Sequence, residues 1–322
     1  MLRQFLRFTE EATYGVYNPS PVLGTNQFIM RLDDSNAFTM RKATVPVRIM
    51  WGGGFAVPGY TFSEKLALQG AFRTKLYYSQ AKFLLPWGLT ANDGSGHPWA
   101  TAEPVGDLPS MSIEHAYFYD DTGTFKRTLY LGNKIASGRM EASSESQATT
   151  LTLQIIGGTA QGEHFTPTSD PSSGTFPAPA DSDYPSWDVV TFTDSSGELS
   201  IGTTLTKYES LAFDWTNKLD ARFFCAHFVQ EIRCLGRDLN LEAQIKIDST
   251  PDLRAQYEKV QNLATSVAFT NGVNTITLDW KGQGILTRLD DDLQIDKIYM
   301  RSGTLASQYD PSAGTDFSCT IA

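Results

Sequence analysis

The sequence predicts a mainly β protein with a few short helices, whose strands have one apolar and one polar face. The clearest sign is segment 237–248, RDLNLEAQIKID, in which polar and apolar residues alternate without interruption from Asp238 onward. Twelve residues at the rise of a strand span roughly 40 Å, about twice the usual strand length. A second sign is Asn271-Gly272 between two alternating runs, a pair typical of β-hairpin turns.

The alternation in segment 237–248 predicts a long strand with one buried face and one face exposed to water. Side chains on a strand point alternately to its two faces, so burial of one set fixes the orientation of the other. The apolar positions, expected to pack in a core, are Leu239, Leu241, Ala243 and Ile245. The polar positions on the opposite face are Asp238, Asn240, Glu242, Gln244 and Lys246.

Two helices are predicted. After the long strand, Thr250 is suited to an N-cap and Pro251 to the first helical turn. The apolar spacing of Leu253, Tyr257 and Val260 then predicts a one-sided helix that packs through these residues. An earlier helix is predicted from about Thr74 to Leu85, ending before Pro86.

The order of elements suggests two related domains in tandem. Residues 1–42 show no sustained periodicity and predict an extended N-terminal arm. Residues 43–158 and 187–322 each predict strands, a helix and hairpins, which indicates two β domains of one kind. Between them, residues 159–186 hold five prolines and few aliphatic residues, as expected of a linker or an exposed loop.

Composition and motifs exclude several function classes. A net charge of −10 argues against a protein that binds nucleic acid through its phosphates. The sequence contains no run of eighteen apolar residues, so no membrane span is expected. The N-terminus does not resemble a signal peptide. The three cysteines lack metal spacing and suit a reducing cytosol. The four histidines are scattered, so no metal site and no cofactor are expected.

No enzyme is predicted either. The glycines at 52–54 lack the lysine and the strand–helix context of a phosphate-binding loop, and a flexible turn explains them better. Asp290-Asp291-Asp292 lacks the glycine and distal glutamate of a calcium loop, and we expect a solvated turn there. No nucleophile elbow or zinc-protease motif is present.

Two short segments carry a family resemblance. Residues Glu11 to Gly15 (EATYG) and Leu131 to Ser137 (LGNKIAS) resemble the tail tube proteins of long-tailed bacteriophages. This resemblance implies a tail-tube-type β-sandwich or barrel fold and a ring of about six tube domains. Their long strands would close into one continuous barrel around a channel. The ring would contain six chains, or three chains that contribute two domains each; the sequence leaves both open.

The resemblance also implies the function. The protein would be a virion component that is assembled in the host cytoplasm and stacks with itself into the tail tube. Its further partners would be the tape measure, tail terminator and tip proteins, and double-stranded DNA would pass without specific binding. The residues expected to line the channel are Asp238, Asn240, Glu242, Gln244 and Lys246, joined by Arg48, Ser63 and Lys65 from the first half. The alternative is a β-sandwich module that binds a carbohydrate or a receptor.

Overall fold

The structure is a computed structural model. It describes residues 3–18, 20–32, 37–44, 49–50, 56–57, 66–90, 101–102, 107–118, 125–143, 148–157, 190, 198–201, 204–222, 224, 229–246, 257–258, 263–270, 273–280, 284–292, 300–307 and 315–322. These residues form eighteen strands and one helix with defined bounds, and residues 257–258 are also helical, so the predicted mainly β, sandwich-type fold is confirmed. Within one chain, the sheets of the described residues do not close into a barrel.

The elements follow one another in two series along the chain. The first series is β1 (Arg3–Glu10), β2 (Gln27–Leu32), β3 (Ala37–Thr44), β4 (Ile49–Met50), β5 (Ala56–Val57), β6 (Leu66–Lys75), α1 (Tyr78–Leu89), β7 (Thr101–Ala102), β8 (Met111–Phe118), β9 (Phe125–Ser143) and β10 (Thr150–Gly157). The second series is β11 (Glu198–Ile201), β12 (Thr204–Arg222), β13 (Glu231–Lys246), β14 (Thr265–Thr270), β15 (Thr275–Asp279), β16 (Ile285–Asp292), β17 (Met300–Ala306) and β18 (Ser318–Ile321).

The central layer is an antiparallel sheet, which we call the inner sheet. Its strand order is β3, β6, β10, β9, β12, β13, β17, β16. The predicted long strand is β13, near the middle of the second half of this sheet. The two outermost strands, β3 and β16, each pair with only one described strand.

The inner sheet contains the same arrangement twice. Numbered by their order in the chain, the first four strands lie as 1-2-4-3 (β3, β6, β10, β9), and so do the last four (β12, β13, β17, β16). In each group, one row of paired residues begins with alanine, has threonine at its third position and ends with arginine. One row reads Ala37, Arg73, Thr152, Arg139, and the other reads Ala212, Glu242, Thr304, Arg288.

Two outer sheets cover one face of the inner sheet. The first has the order β2, β1, β8, β9, and the second has the order β12, β11, β14, β15, β18, β7. Strands β9 and β12 belong to an outer sheet at their first residues and to the inner sheet afterwards, which explains why each is 19 residues long. In β9 the corner lies beside Gly132, whose φ of 65° favours glycine.

The core between these layers is rich in aromatic residues. In the first half, Phe8 stacks on Phe28 with ring centroids 4.6 Å apart and contacts Trp87 at 5.7 Å. In the second half, Phe213 stacks on Phe317 at 4.9 Å, and Trp280 meets both rings edge-on. Such pairs add about 0.5–1.5 kcal/mol each beyond the area they bury.

Trp215 joins the two halves of this core. A Cβ atom added at Gly138 of β9 would lie 2.0 Å from the indole ring, and one added at Gly88 of α1 would lie 2.6 Å from it. Both positions therefore require glycine for the indole to fit. Asn217, two residues farther along β12, donates to the carbonyl oxygens of Gly88 and Ile135, at 2.9 Å each. The start of the second half is thereby packed against the first.

The helix lies about four residues later in the chain than predicted. Strand β6 continues to Lys75, and α1 begins at Tyr78 and ends at Leu89, with Pro86 inside it. Proline removes one backbone donor from a helix, but tertiary packing can maintain the last turn. Here, Trp87 is fully buried and donates its indole N–H to the carbonyl of Asn133 at 3.1 Å.

The predicted N-terminal arm is not irregular. Strands β1 and β2 form part of the first outer sheet, and β3 is an edge of the inner sheet. The alternation that would have revealed β1 is absent because both of its faces are covered. Phe8 is buried on one face, whereas Arg7 on the other is 3% exposed and pairs with buried Glu114 at 3.0 Å. A strand buried on both faces does not show a two-residue period.

Three other expectations have different outcomes. Asp290, Asp291 and Asp292 lie within β16 and not in a turn. Strand β16 is an edge strand, and charged side chains are common on such strands because they discourage unwanted pairing. Tyr257, expected in a core, is helical but 38% exposed in the single chain. A helical period identifies an apolar face but not what covers it. Leu253, Val260 and the proline-rich segment 159–186 lie outside the described residues.

Candidate functional site

The polar face of the inner sheet is the candidate site. On β13 the structure exposes Asp238, Asn240, Glu242 and Gln244. Lys246 is the last residue of this strand. The opposite face is dry, with Leu239, Leu241, Ala243 and Ile245 each 5% exposed or less. Arg48, Ser63 and Lys65, which we expected beside them, lie outside the described residues.

The same face continues across the neighbouring strands. Asn240 of β13 is paired with Asp214 of β12, which is paired with Arg139 of β9. Arg139 in turn aligns with Thr152 of β10, and Thr152 with Arg73 of β6. One polar surface therefore extends over both halves of the sheet.

This surface is concave. It encloses a hollow of about 490 Å³, lined by residues of seven strands from β6 at one side to β16 at the other. A sheet that curves in this way places its polar face inside the curve and its apolar face outside. None of the described residues that line the hollow is aromatic.

Arg139 is the centre of a charge network in the hollow. Its guanidinium lies 2.6 Å from a carboxylate oxygen of Glu141, 2.5 Å from Asp214 and 3.6 Å from Glu242. Partial burial disfavours the charged guanidinium, but the hydrogen bonds to Glu141 and Asp214 outweigh it and raise the pKa of Arg139. Burial, together with the nearby Glu242 and Glu141, raises the pKa of Asp214, although Arg139 partly offsets the rise.

A second series of ion pairs follows strands β12 and β13 toward their connecting hairpin. Lys218 pairs with Asp238 at 3.0 Å, and Glu231 lies 2.6 Å from Arg233 and 3.8 Å from Arg222. These side chains are 30–59% exposed, so solvent screens each pair and it contributes little to stability. Their consequence is electrostatic, because each acid is neutralised by a neighbouring base.

The described part of the concave face is therefore balanced in charge, although the chain carries −10. The net charge of the whole chain does not predict this balance. Among the residues whose side chains the structure describes, strand register places these basic residues on this face: Arg73, Lys75, Arg139, Lys218, Arg222, Arg233 and Arg288. The acidic residues with described side chains on this face are equally many: Glu141, Asp214, Asp220, Glu231, Asp238, Glu242 and Asp290.

Sequence reasoning missed Arg139, Asp214 and Lys218. A signal was present, since polar Ser137, Arg139 and Glu141 alternate with Gly138 and Met140 on β9. That run is less regular than β13, and nothing in the sequence aligned it with β12. Strand register, which only the structure gives, brings the charged residues of β9, β12 and β13 together.

The two segments that carried the family resemblance contact each other at a corner of the fold. The carboxylate of Glu11 accepts hydrogen bonds from the backbone N–H of Gly132 at 2.9 Å, the hydroxyl of Ser112 at 2.7 Å and the backbone N–H of Gly15 at 2.8 Å. Burial raises the pKa of Glu11 above its ordinary value of 4.5, and these donors work in the opposite direction. Burial, and then the charge of Glu11, also raises the pKa of Tyr14.

The same corner is tied to the second half through Asp107. Its carboxylate pairs with Lys134 at 2.9 Å and accepts a hydrogen bond from the backbone N–H of Cys234 at 3.2 Å. Partial burial acts to raise the pKa of Asp107, but Lys134 and the backbone donors outweigh it and hold the pKa below its ordinary value. Asp107 thereby links β9 at Lys134 to β13 at Cys234.

A family model described as "Phage tail tube protein" matches residues 1–312. The chain belongs to the phage tail tube protein family. No curated protein matches the chain. Membership makes the protein a structural component of a virion tail and implies that it assembles into a tube and associates with other tail proteins.

Family membership also bears on the excluded functions. A structural family of this kind supports a role without catalysis. Within the described ranges, no three His, Cys, Asp or Glu residues are grouped so that they could hold a metal ion. No described helix of this tail tube protein is long and apolar enough to cross a membrane. The assignment of individual residues to the channel stays a prediction.

Proposed function

We propose that this tail tube protein forms stacked rings in which the inner sheets of neighbouring copies join into one barrel. The concave polar face would line the channel through which the genome leaves the virion. The observation that carries the proposal is the shape of the inner sheet. It is polar and concave on one face, packed on the other, and open at both edge strands within the described chain.

We further propose that each chain contributes two tube domains. The shared 1-2-4-3 strand order and the corresponding rows that end in Arg139 and Arg288 support this proposal. The first domain would begin with β1 and not at residue 43, since β1 and β2 belong to its outer sheet. Segment 159–186 would connect the two domains, with the second occupying 187–322.

Three chains would complete the ring. Two copies of the inner sheet supply sixteen strands and three copies supply twenty-four. At a spacing of about 4.8 Å with moderate tilt, the backbone diameters are about 25–30 Å and about 40–45 Å respectively. The inward side chains occupy roughly 10 Å of this diameter. A hydrated DNA duplex of roughly 20 Å therefore requires the larger ring.

The charge balance suits a channel that DNA must leave quickly. A phosphate that approaches Arg139 or Lys218 competes with a carboxylate already bonded to that cation. Affinity for DNA depends on the counterions that leave the duplex when basic side chains bind its phosphates. Basic side chains that already form ion pairs within the protein bind fewer phosphates and release fewer counterions. The duplex would pass over a wet surface to which it is neither strongly attracted nor strongly repelled.

No observation favours the alternative of a carbohydrate- or receptor-binding module. Small-molecule sites are usually lined by apolar and aromatic side chains. The hollow on the inner sheet is lined mainly by charged and small polar residues instead.

The test is electron microscopy of the purified protein, combined with light scattering during concentration. We expect a monomeric or weakly associated protein that polymerises into hollow tubes of uniform width. A protein that stays monomeric at all concentrations, with native circular dichroism, would contradict the proposal.

A further inference from the structure

Strand pairing at the boundary between the two halves of the inner sheet indicates how two copies of the chain could pair at their sheet edges. Strand β9, third in the first group, pairs with β12, first in the second group, over Ser137–Ser143 and Ser210–Thr216. At the open edges, the corresponding strands are β16, third in its group, and β3, first in its group. We infer that β16 of one copy pairs with β3 of the next copy, in the register of the β9–β12 boundary. This inference rests on the proposed ring.

Strand direction permits this pairing. Every neighbouring pair in the inner sheet is antiparallel, and the sheet has an even number of strands. Strand β16 therefore runs opposite to β3. A second copy placed beside β16 without inversion continues the antiparallel alternation, as a cyclic ring requires.

Taking the row from Ala37 to Arg139 as equivalent to the row from Ala212 to Arg288 gives the register. Arg139 of β9 is paired with Asp214, which lies two residues after Ala212. Because Arg139 corresponds to Arg288 and Ala212 to Ala37, Arg288 would be paired with Thr39 of the neighbouring copy. One residue away, Leu289 would be paired with Phe38 of the neighbouring copy, as Met140 is paired with Phe213 inside the chain.

Burial at the two places supports the correspondence. Met140 and Phe213 at the internal boundary are both 0% exposed. Their counterparts Leu289 and Phe38, on the core side of the open edges, are only partly buried. Pairing between copies would cover these two side chains and the backbone groups of both edges, which have no second partner strand among the described residues.

Charge agrees with this arrangement as well. Arg288 bonds to Asp290 on its own strand, as Arg139 bonds to Glu141. Strand β16 has three acidic residues and one basic residue, whereas β3 has two basic residues and no acidic ones. The two edges attract each other, and copies of the same edge repel. Asp290, Asp291 and Asp292 would thus prevent β16 from pairing with another β16.

The test is a disulfide across the contact, made by Arg288→Cys together with Thr39→Cys in the full chain. Both side chains are exposed in the lone chain, so the substitutions leave the core intact. Directly paired antiparallel residues have Cα atoms about 4.5–5.5 Å apart, within the range that a disulfide spans. After mild oxidation of assembled protein, a non-reducing gel should show covalent dimers and trimers, with trimers as the end product.

Controls separate this result from other cross-links. Each single-cysteine variant reports links through the natural thiols, and the pair Leu289→Cys with Thr39→Cys places the thiols on opposite faces. These controls should show no trimer. If tubes form but the double variant is not cross-linked above the controls, the inferred register is wrong and the proposed ring stands. If the unmutated protein forms no rings or tubes, the proposed function itself fails.

A second pair of variants tests the covered apolar contact. Leu289→Glu should abolish assembly while the monomer keeps its native circular dichroism. Val273→Glu, in the β14–β15 turn where Val273 is 87% exposed, should still assemble. Tube formation by Leu289→Glu at the unmutated level would overturn the inference, because a carboxylate cannot pack against Phe38 of the neighbouring copy.

Discussion

The two faces of the inner sheet differ in what they contribute. On the convex face, Phe72, Leu153, Met140 and Phe213 are completely buried against the outer layers. On the concave face, Arg139 and its neighbours keep a large part of their surface exposed and bond mainly to one another. The contacts that stabilise the fold are therefore concentrated on one side of the sheet. The other side is free to carry the electrostatic properties of a channel.

The largest expected effect is at the centre of the convex face. Trp215→Ala should destabilise the protein by about 3–5 kcal/mol, because it removes a fully buried indole held between Gly138 and Gly88. Chemical denaturation of the monomer measures this loss. Lys218→Ala, three residues along the same strand but on the concave face, is the matched control and should change the free energy of unfolding by less than about 0.5 kcal/mol. Equal losses for both variants would contradict the contrast between the faces.

A smaller effect is expected at the buried carboxylate of Glu11. Glu11→Gln keeps the size of the side chain but places an amide N–H₂ against one of the three donors, which costs about 1–3 kcal/mol. The loss should appear in denaturation of the monomer at pH 7. A variant as stable as the wild type would show that the donors do not bond to this carboxylate.

The pH dependence of the same variant sharpens the test. Because burial raises the pKa of Glu11, the folded state holds the proton more tightly than the unfolded state. The stability of the wild type relative to Glu11→Gln should therefore be greatest below the ordinary value of 4.5 and should fall as the pH rises through the folded pKa. A difference that grows with rising pH would contradict this sign.

At the charge network, Arg139→Met should cost about 1 kcal/mol, since the side chain is 41% exposed and solvent screens the charges. It leaves Asp214, Glu141 and Glu242 facing one another, which raises the pKa of Asp214 further. The deficit should therefore shrink on acidification. Arg233→Met, in an exposed pair, should show neither the loss nor its pH dependence. A deficit at Arg139 that is constant with pH would indicate lost packing instead.

The smallest effect on stability is expected from charge reversal at two concave positions. Asp238→Lys with Glu242→Lys should change the free energy of unfolding by less than about 1 kcal/mol, and tubes should still form. Each ring would then carry unpaired positive charge toward the channel. Genome ejection should slow, and added salt should restore its rate. Ejection that is unchanged at low salt would mean that these residues do not face the DNA.

The sequence predicts the strands that have one wet and one dry face. Alternation alone identified the orientation of Leu239 and Leu241 on β13, because a register shift of one residue would expose every apolar side chain of the strand. It also identified the hairpin of β14 and β15, which the structure pairs as expected. In each case a local pattern sufficed, since the second face was open to solvent.

The remainder depends on contacts that are distant in sequence. Strand β1 has no alternation because both faces are buried, and the end of α1 was misplaced because packing of Trp87 overrides the effect of Pro86. The charge balance of the concave face could not be predicted from composition. Arg139 is 75 residues from Asp214 in sequence, and only their register brings them together.

The most direct test of the whole account is a helical reconstruction of the assembled tube by electron cryomicroscopy. We expect three chains per ring, a bore lined by Arg139, Asp214, Asp238 and Glu242, and Phe213 and Leu241 facing away from it. We also expect density for β16 to continue into β3 of the neighbouring copy. A reconstruction with these charged side chains on the outer surface of the tube would contradict the central claim.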